Sequence, residues 1–272
     1  MNWLISLNGN HIVLDNLERS MRSPHFSIFD DSDDHQARQY FLRSSHFEGN
    51  KSSEDVFSAA SGLIQLINGA SAIEWGFNSY IRRGNISIDS VYNASKDNPR
   101  GSDWSIVNPP NKITPSNPFI GNPSRSRHIN PYRYITTAYL QLCIDNDEVF
   151  HLLRQLSVGF DWRNLYCIWD TISHYCGGQK KAISDLELDE VKIKAFTGTA
   201  NNFGVLGLKA RHGVMGWGIP QNTVEQEEAI EIINDVVKKY LNKKFCLNCH
   251  SKKWDKEFNN PLKGDRDNAA EF

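Results

Sequence analysis

Long apolar runs are missing from this 272-residue chain. No stretch approaches the roughly 20 apolar residues that a bilayer-crossing helix needs. The opening MNWLISLNGNHIVLDNLERS alternates and carries polar residues too early for a signal peptide. A cytoplasmic protein with no membrane partner is therefore expected. Charge of one sign is missing too. Thirty Lys+Arg stand against 32 Asp+Glu, a net charge of −2, so any surface for nucleic acid must be local. Cysteine is sparse and odd in number: Cys143, Cys167, Cys176, Cys246 and Cys249 are scattered, which fits reduced thiols better than a disulfide framework. No internal repeat is visible. Aromatic residues, by contrast, make up 11% of the chain, with 7 Trp and 14 Phe, enough for packed cores.

The first fifty residues read as strands. NWLISLNG and HIVLDNL flank Asn8-Gly9, a hairpin-turn signal. HFSIFDD and QYFLRSSHF add two more. Ser52 opens a helix with Asp55 three residues on, an acidic form of the capping box, and Val56, Ala60, Leu63 and Ile67 give it one apolar face. Asn68-Gly69 is the expected stop, and NISIDSVYNA returns to period two. These features predict an α+β chain whose residues 1–94 form a β-rich module with one packed helix.

Residues 95–130 break the pattern. Pro99, Pro109, Pro110, Pro115, Pro118 and Pro123 fall here among Asn and Ser, as in a linker or a surface strap. From Pro131 the period is helical through 244. Asn146 and Asp161 are predicted N-caps, Gly159 and Gly177-Gly178 predicted stops, and Trp162, Leu165, Trp169 and Ile172 an apolar stripe. A last helix is expected from Asn222, with acids early and lysines late, which suits the helix dipole.

The stretch 131–242 resembles a HEPN-like domain, a helical bundle of prokaryotic defence and toxin proteins. The resemblance lies in LYCIWD on a helix ending in a double glycine, then FTGTANNFG, ARHG and the closing helix EQEEAIEIINDVVKKYL. It implies a helical-bundle domain, assembly as a homodimer or hetero-complex through it, and engagement of RNA or a nucleotide signal. Many members are metal-independent ribonucleases with an Arg followed four to six residues later by a His. In this chain Arg211 and His212 are adjacent, and no second His precedes the last helix. The non-enzymatic alternative is a scaffold or partner-binding subunit of a defence complex.

Metal-free RNA cleavage needs a base near the 2′-OH and a cation at the scissile phosphate. Arg211 and His212 are the residue types for those tasks. Asp170 and His174, four apart on one helix, share a face, and Arg163 lies seven before Asp170 on that side. They are candidates to line the same cleft, with Asp170 orienting the pair. Asn201 and Asn202 offer small polar contacts to a phosphate, or turn and cap chemistry. Cys246, Cys249 and His250 form a C-x-x-C-H string without a second ligand pair, so neither metal nor cofactor is expected. The tail 245–272 follows a lysine-rich helix end, and residues 238–272 together hold nine Lys+Arg against five Asp+Glu. Lys252 and Lys253 beside Trp254 combine charge with a stacking ring, the pattern of single-strand nucleic-acid contacts.

Overall fold

The computed structural model describes residues 3–21, 23, 25–31, 38–48, 52–75, 85–94, 104–120 and 135–245. Strand β1 (Trp3–Asn8) is followed by helix α1 (His11–Ser20), not by a second strand. The hairpin reading of Asn8-Gly9 is thereby corrected. The Asn10 side chain accepts the Ile12 N–H at 2.8 Å and caps the helix, and Val13, Leu14 and Leu17 bury one helical face. An N-cap two residues past the turn signal outweighs it.

Strands β2 (Phe26–Asp30) and β3 (Tyr40–Ser44), helix α2 (Ser53–Trp75), and strands β4 (Ser87–Ala94) and β5 (Trp104–Val107) complete the N-terminal region. The antiparallel sheet has the order β2-β3-β1-β4-β5. Through β4 this is a split βαβ arrangement of ferredoxin-like topology. Pairing runs Ile5 to Leu42 on one side and Ile5 to Val91 on the other, so Ile5, Leu42 and Val91 face the core together. Backbone of the segment before β2 covers that strand's outer edge: Ile28 N–H donates to Met21 O and Ser23 N–H to Phe26 O.

Helix α2 starts as expected, with Ser52 Oγ accepting the Asp55 N–H at 3.2 Å. It does not stop at Asn68-Gly69, and both residues have other tasks. The Asn68 amide holds the Ile86 backbone in both directions at 3.0 Å. At Gly69 a Cβ would lie 2.0 Å from the Leu153 carbonyl oxygen, so glycine sets a close helix crossing. The stretch Ser53–Glu74 is also long and apolar enough to span a membrane by composition alone, which corrects the reading that no run approaches that length. It is 72% buried, because the sheet region packs on one side and two later helices on the other.

After β5 the chain crosses α2. Ser116 N–H donates to Ser58 O, the Ser58 hydroxyl donates to Thr114 O at 2.6 Å, and Gly62 lies under the Ser116 carbonyl. Phe119 is buried against the His46 ring. The described part of 95–130 is thus an edge strand and a strap.

The remaining helices are α3 (Ile135–Asp145), α4 (Asp147–Val158), α5 (Trp162–Cys176), α6 (Gln179–Asp185), α7 (Glu190–Asn201), the short α8 (Phe203–Leu206) and α9 (Gln226–Phe245). The last begins four residues later than expected, because the Val224 N–H is taken by Thr199 Oγ1 at 3.1 Å. One contiguous core joins α2, α4, α5 and α9 to the sheet. At its far side Glu148 accepts from Tyr240 at 2.6 Å and pairs with Lys244. Burial, first, and then that bond push the Tyr240 hydroxyl far up.

Candidate functional site

The Arg211 site is built on α5. Asp161 caps its start by accepting the Asn164 N–H at 2.9 Å. Gly177, left-handed at φ 85°, ends it, with Gly177 N–H to His174 O and Gly178 N–H to Ser173 O. These caps fix the helical phase. Trp162, Leu165, Ile168, Trp169 and Ile172 are buried, so Arg163, Cys167, Asp170 and His174 fall on the outer side, as the spacing of seven and four predicts.

The segment after α8 lies along that side. Arg163 donates from Nε to Ala210 O at 3.2 Å and from Nη2 to Leu208 O at 3.1 Å. Arg211 donates its backbone N–H to Ala200 O at 2.8 Å, and its Nη2 to Asp170 Oδ2 at 3.0 Å. Its guanidinium carbon stands 4.0 Å from the Tyr166 ring centroid. Asp170 is partly sheltered, and burial pushes its carboxyl up against the opposing pull of Arg211. The structure thus brings Arg163, Asp170 and Arg211 to the same side of α5. Sequence reasoning missed Tyr166, although a residue four before Asp170 shares its face.

His212 and His174 do not join this group. The His212 ring meets Trp217 edge-on at 5.7 Å, and the exposed His174 ring contacts Tyr175. Among the described residues no hydrogen bond links either imidazole to Arg211 or Asp170. Asn202 is buried at 3% exposure. Its Oδ1 accepts the Val205 N–H at 3.1 Å and its Nδ2 donates to Gly218 O at 2.8 Å. It caps α8 and pins the chain beyond His212, and its amide is spent on both. Asn201 is half-buried in the last turn of α7, its Oδ1 without a partner among the described residues. Lys252, Lys253, Trp254 and the Cys246-Cys249-His250 string lie outside the described residues. No cluster of three metal-ligating side chains occurs among those described.

Between Arg163 and Gln226 an open groove of about 560 Å³ reaches Cys167, Leu208 and Lys209. Beyond it the chain from 213 to 220 has no helix or strand, and Gly216, at φ 68°, bends it. Leu208 is 86% exposed, Val214 77%, Met215 57%, Trp217 52% and Ile219 71%. Residues 213–222, GVMGWGIPQN, carry no charge. That run was legible as a charge-free apolar loop, but the neighbouring Arg-His pair drew the reading away from it. Protein-family models, curated proteins and solved structures give no match to this chain.

Proposed function

We propose that this protein is a non-catalytic partner-binding subunit whose recognition element is the apolar arm 208–219. The observation that carries the reading is the concentration of exposed large apolar side chains on one short segment. Scattered apolar residues are ordinary on a surface, whereas a contiguous group marks an interaction site. Arg163 and Arg211 serve this element by clamping its root to α5, and Asn202 holds its far end through Gly218 O. The arm is presented by rigid anchors, which lowers the ordering cost of docking.

The chemistry of the arm favours protein over the other partners. RNA affinity comes chiefly from cations at phosphates; the arm has Lys209 and Arg211 only at its root, Arg211 is held by Asp170, and residues 213–222 have none. The ribonuclease reading implied by the HEPN-like resemblance asks Arg211 to face a phosphate. Its guanidinium already holds Asp170 and covers Tyr166, and His212 is turned to Trp217. A lipid surface would meet backbone outside helix and strand, which hydrocarbon does not tolerate. A partner-binding subunit of a defence complex is also the non-enzymatic role that the resemblance allows.

A photo-crosslinking amino acid placed at position 217 of the full chain, irradiated in the producing cell, tests this. Covalent adducts with protein are expected. Adducts with RNA alone, or cleavage of RNA by the purified wild type that Arg211→Ala abolishes, would overturn the reading.

A further inference from the structure

The groove at the root of the arm is lined by two cations, Arg163 and Lys209, that no carboxylate neutralises among the described residues. Resting on the reading above, we propose that this groove receives a short acidic and apolar segment of the partner protein. A carboxylate of that segment would lie between Arg163 and Lys209, with its apolar neighbour against Trp162, Cys167 and Leu208.

The two cations come from different elements, α5 and the 3-10 turn Gly207–Lys209. Both are exposed. Arg163 spends Nε on Ala210 O and one Nη2 hydrogen on Leu208 O, which leaves its Nη1 group and the other Nη2 hydrogen to an anion. The same two bonds hold the guanidinium in place, so little ordering cost remains. Arg211, by contrast, is already paired with Asp170. Asp161 is the one lining carboxylate, and it accepts the Asn164 N–H as the cap of α5. The lining amides are tied as well. Asn164 Nδ2 donates to Gln155 O and Gly159 O, and Gln226 Nε2 to Phe160 O. What the groove still offers is positive charge, and an anion satisfies it.

The walls decide which anion. Trp162, Cys167 and Leu208 supply apolar surface, and Leu208, 86% exposed, belongs to the groove and the arm alike. At about 560 Å³ the space is of the size that takes a few side chains. An RNA strand needs cations along the path of its backbone, and residues 213–222 beyond the groove carry none. A peptide needs one anionic contact beside apolar surface, and both lie here. Arg pairs with a carboxylate through its planar fork, and Lys209 adds a flexible second charge. A segment seated in the groove runs on over Leu208 to the arm, so the two surfaces form one interface.

Cys167 makes occupancy readable, because its exposed thiol lines the groove. Random peptides displayed on phage are selected on the immobilised full chain, and the enriched sequences are synthesised. They are expected to carry Asp or Glu beside a large apolar residue. They should also protect Cys167 from a maleimide, read by mass spectrometry of the fragment that holds it. Lys209→Glu should weaken their binding about tenfold or more, because it sets like charges against each other. Lys180→Glu, the same change of charge at an exposed position of α6, should leave binding unchanged. Circular dichroism checks both folds, and Lys209→Gln, expected to weaken binding less, replaces Lys209→Glu if that variant misfolds. Enrichment of basic or uncharged peptides, acidic peptides that leave Cys167 open, indifference to the Lys209 substitution, or no enrichment at all overturns the groove inference. So does a single-stranded RNA oligonucleotide that protects Cys167 where the peptides do not. Protein adducts at position 217 would then leave the partner-binding reading standing. Adducts with RNA alone at that position would remove both.

Discussion

Asp170 and Arg211 lie 41 residues apart in the chain and 3.0 Å apart in space. The pair is half exposed, at 40% and 34% of the side chains. Such ion pairs contribute only about 0.2–1 kcal/mol, and the Tyr166 contact adds about 0.5–1 kcal/mol. The two members are not equivalent. Removing Arg211 loses both contacts and strands a sheltered carboxylate, while removing the Asp170 charge leaves Arg211 on Tyr166. Arg211→Ala should therefore destabilise by roughly 1–2 kcal/mol, and Asp170→Asn by less. Chemical denaturation of both variants checks the order.

The carboxyl of Asp170 is raised above its ordinary value near 3.8, by burial first, with Arg211 only partly offsetting that. A raised folded-state value means that the unfolded state ionises more readily. The contribution of Asp170 is thus fully present below the ordinary carboxylate range and declines as pH rises through the folded value. Asp170→Asn should flatten that decline. A wild-type stability profile that rises there because of Asp170 would contradict it.

Asp15 has the opposite sign. Its carboxyl is lowered, first by the Tyr40 hydroxyl bond and further by Arg38, which stands 2.7 Å away. Its contribution is present above the ordinary carboxylate value and is lost as pH falls through the lowered one. Asp15→Asn should reduce the acid sensitivity of the fold, measured as the change in melting temperature between neutral pH and about pH 3.

The helical half was the more legible part of the fold. Asp161 and Gly177 cap the ends of α5 as expected, because caps and stops act within a few residues of the signal that marks them; Asn146 and Gly159 flank α4, but the Asn146 amide donates to Leu142 O and caps nothing. Errors arose where a tertiary contact overrode a local signal. Asn8-Gly9 and Asn68-Gly69 both resemble turns, and in each the glycine serves packing: Gly9 lies against Ile86, and Gly69 against Leu153. Helix α7 lies within the stretch read as helical but its bounds were not, since Gly198 and a run of small polar residues blur the helical period of 190–201. At the site, spacing placed Arg163 and Asp170 on one face. The partner of His212 could not be read, because Trp217 reaches it through a bend at Gly216.

Gly69→Ala weighs two effects of opposite sign. Alanine is better than glycine in a helix interior by about 1 kcal/mol. Its Cβ would sit 2.0 Å from the Leu153 carbonyl oxygen, and backbone on a packed helix cannot rotate away as a flexible side chain does. Overpacking of that kind costs about 1–3 kcal/mol or more. The clash should win, and thermal unfolding should show a lower melting temperature. A raised one would mean that the α2–α4 crossing can open without loss.

The same crossing governs whether the stretches divided at 94 and 131 fold apart. Leu63, Leu66, Ile67, Ala70 and Ile73 are all buried, on a helix that packs against both the sheet region and α3 and α4. Cutting the chain between residues 120 and 131 would leave the first fragment with the α4-facing side of α2 in water. Each large apolar side chain so exposed forfeits about 1.5–3 kcal/mol, and a domain's whole stability is only about 5–15 kcal/mol. A few such residues exhaust it. Fragments 1–120 and 131–245, made separately, should each lack a cooperative melt, and mixing them should restore one. If fragment 1–120 melts cooperatively as a monomer on its own, the sheet holds α2 without the helical half and the shared core is dispensable.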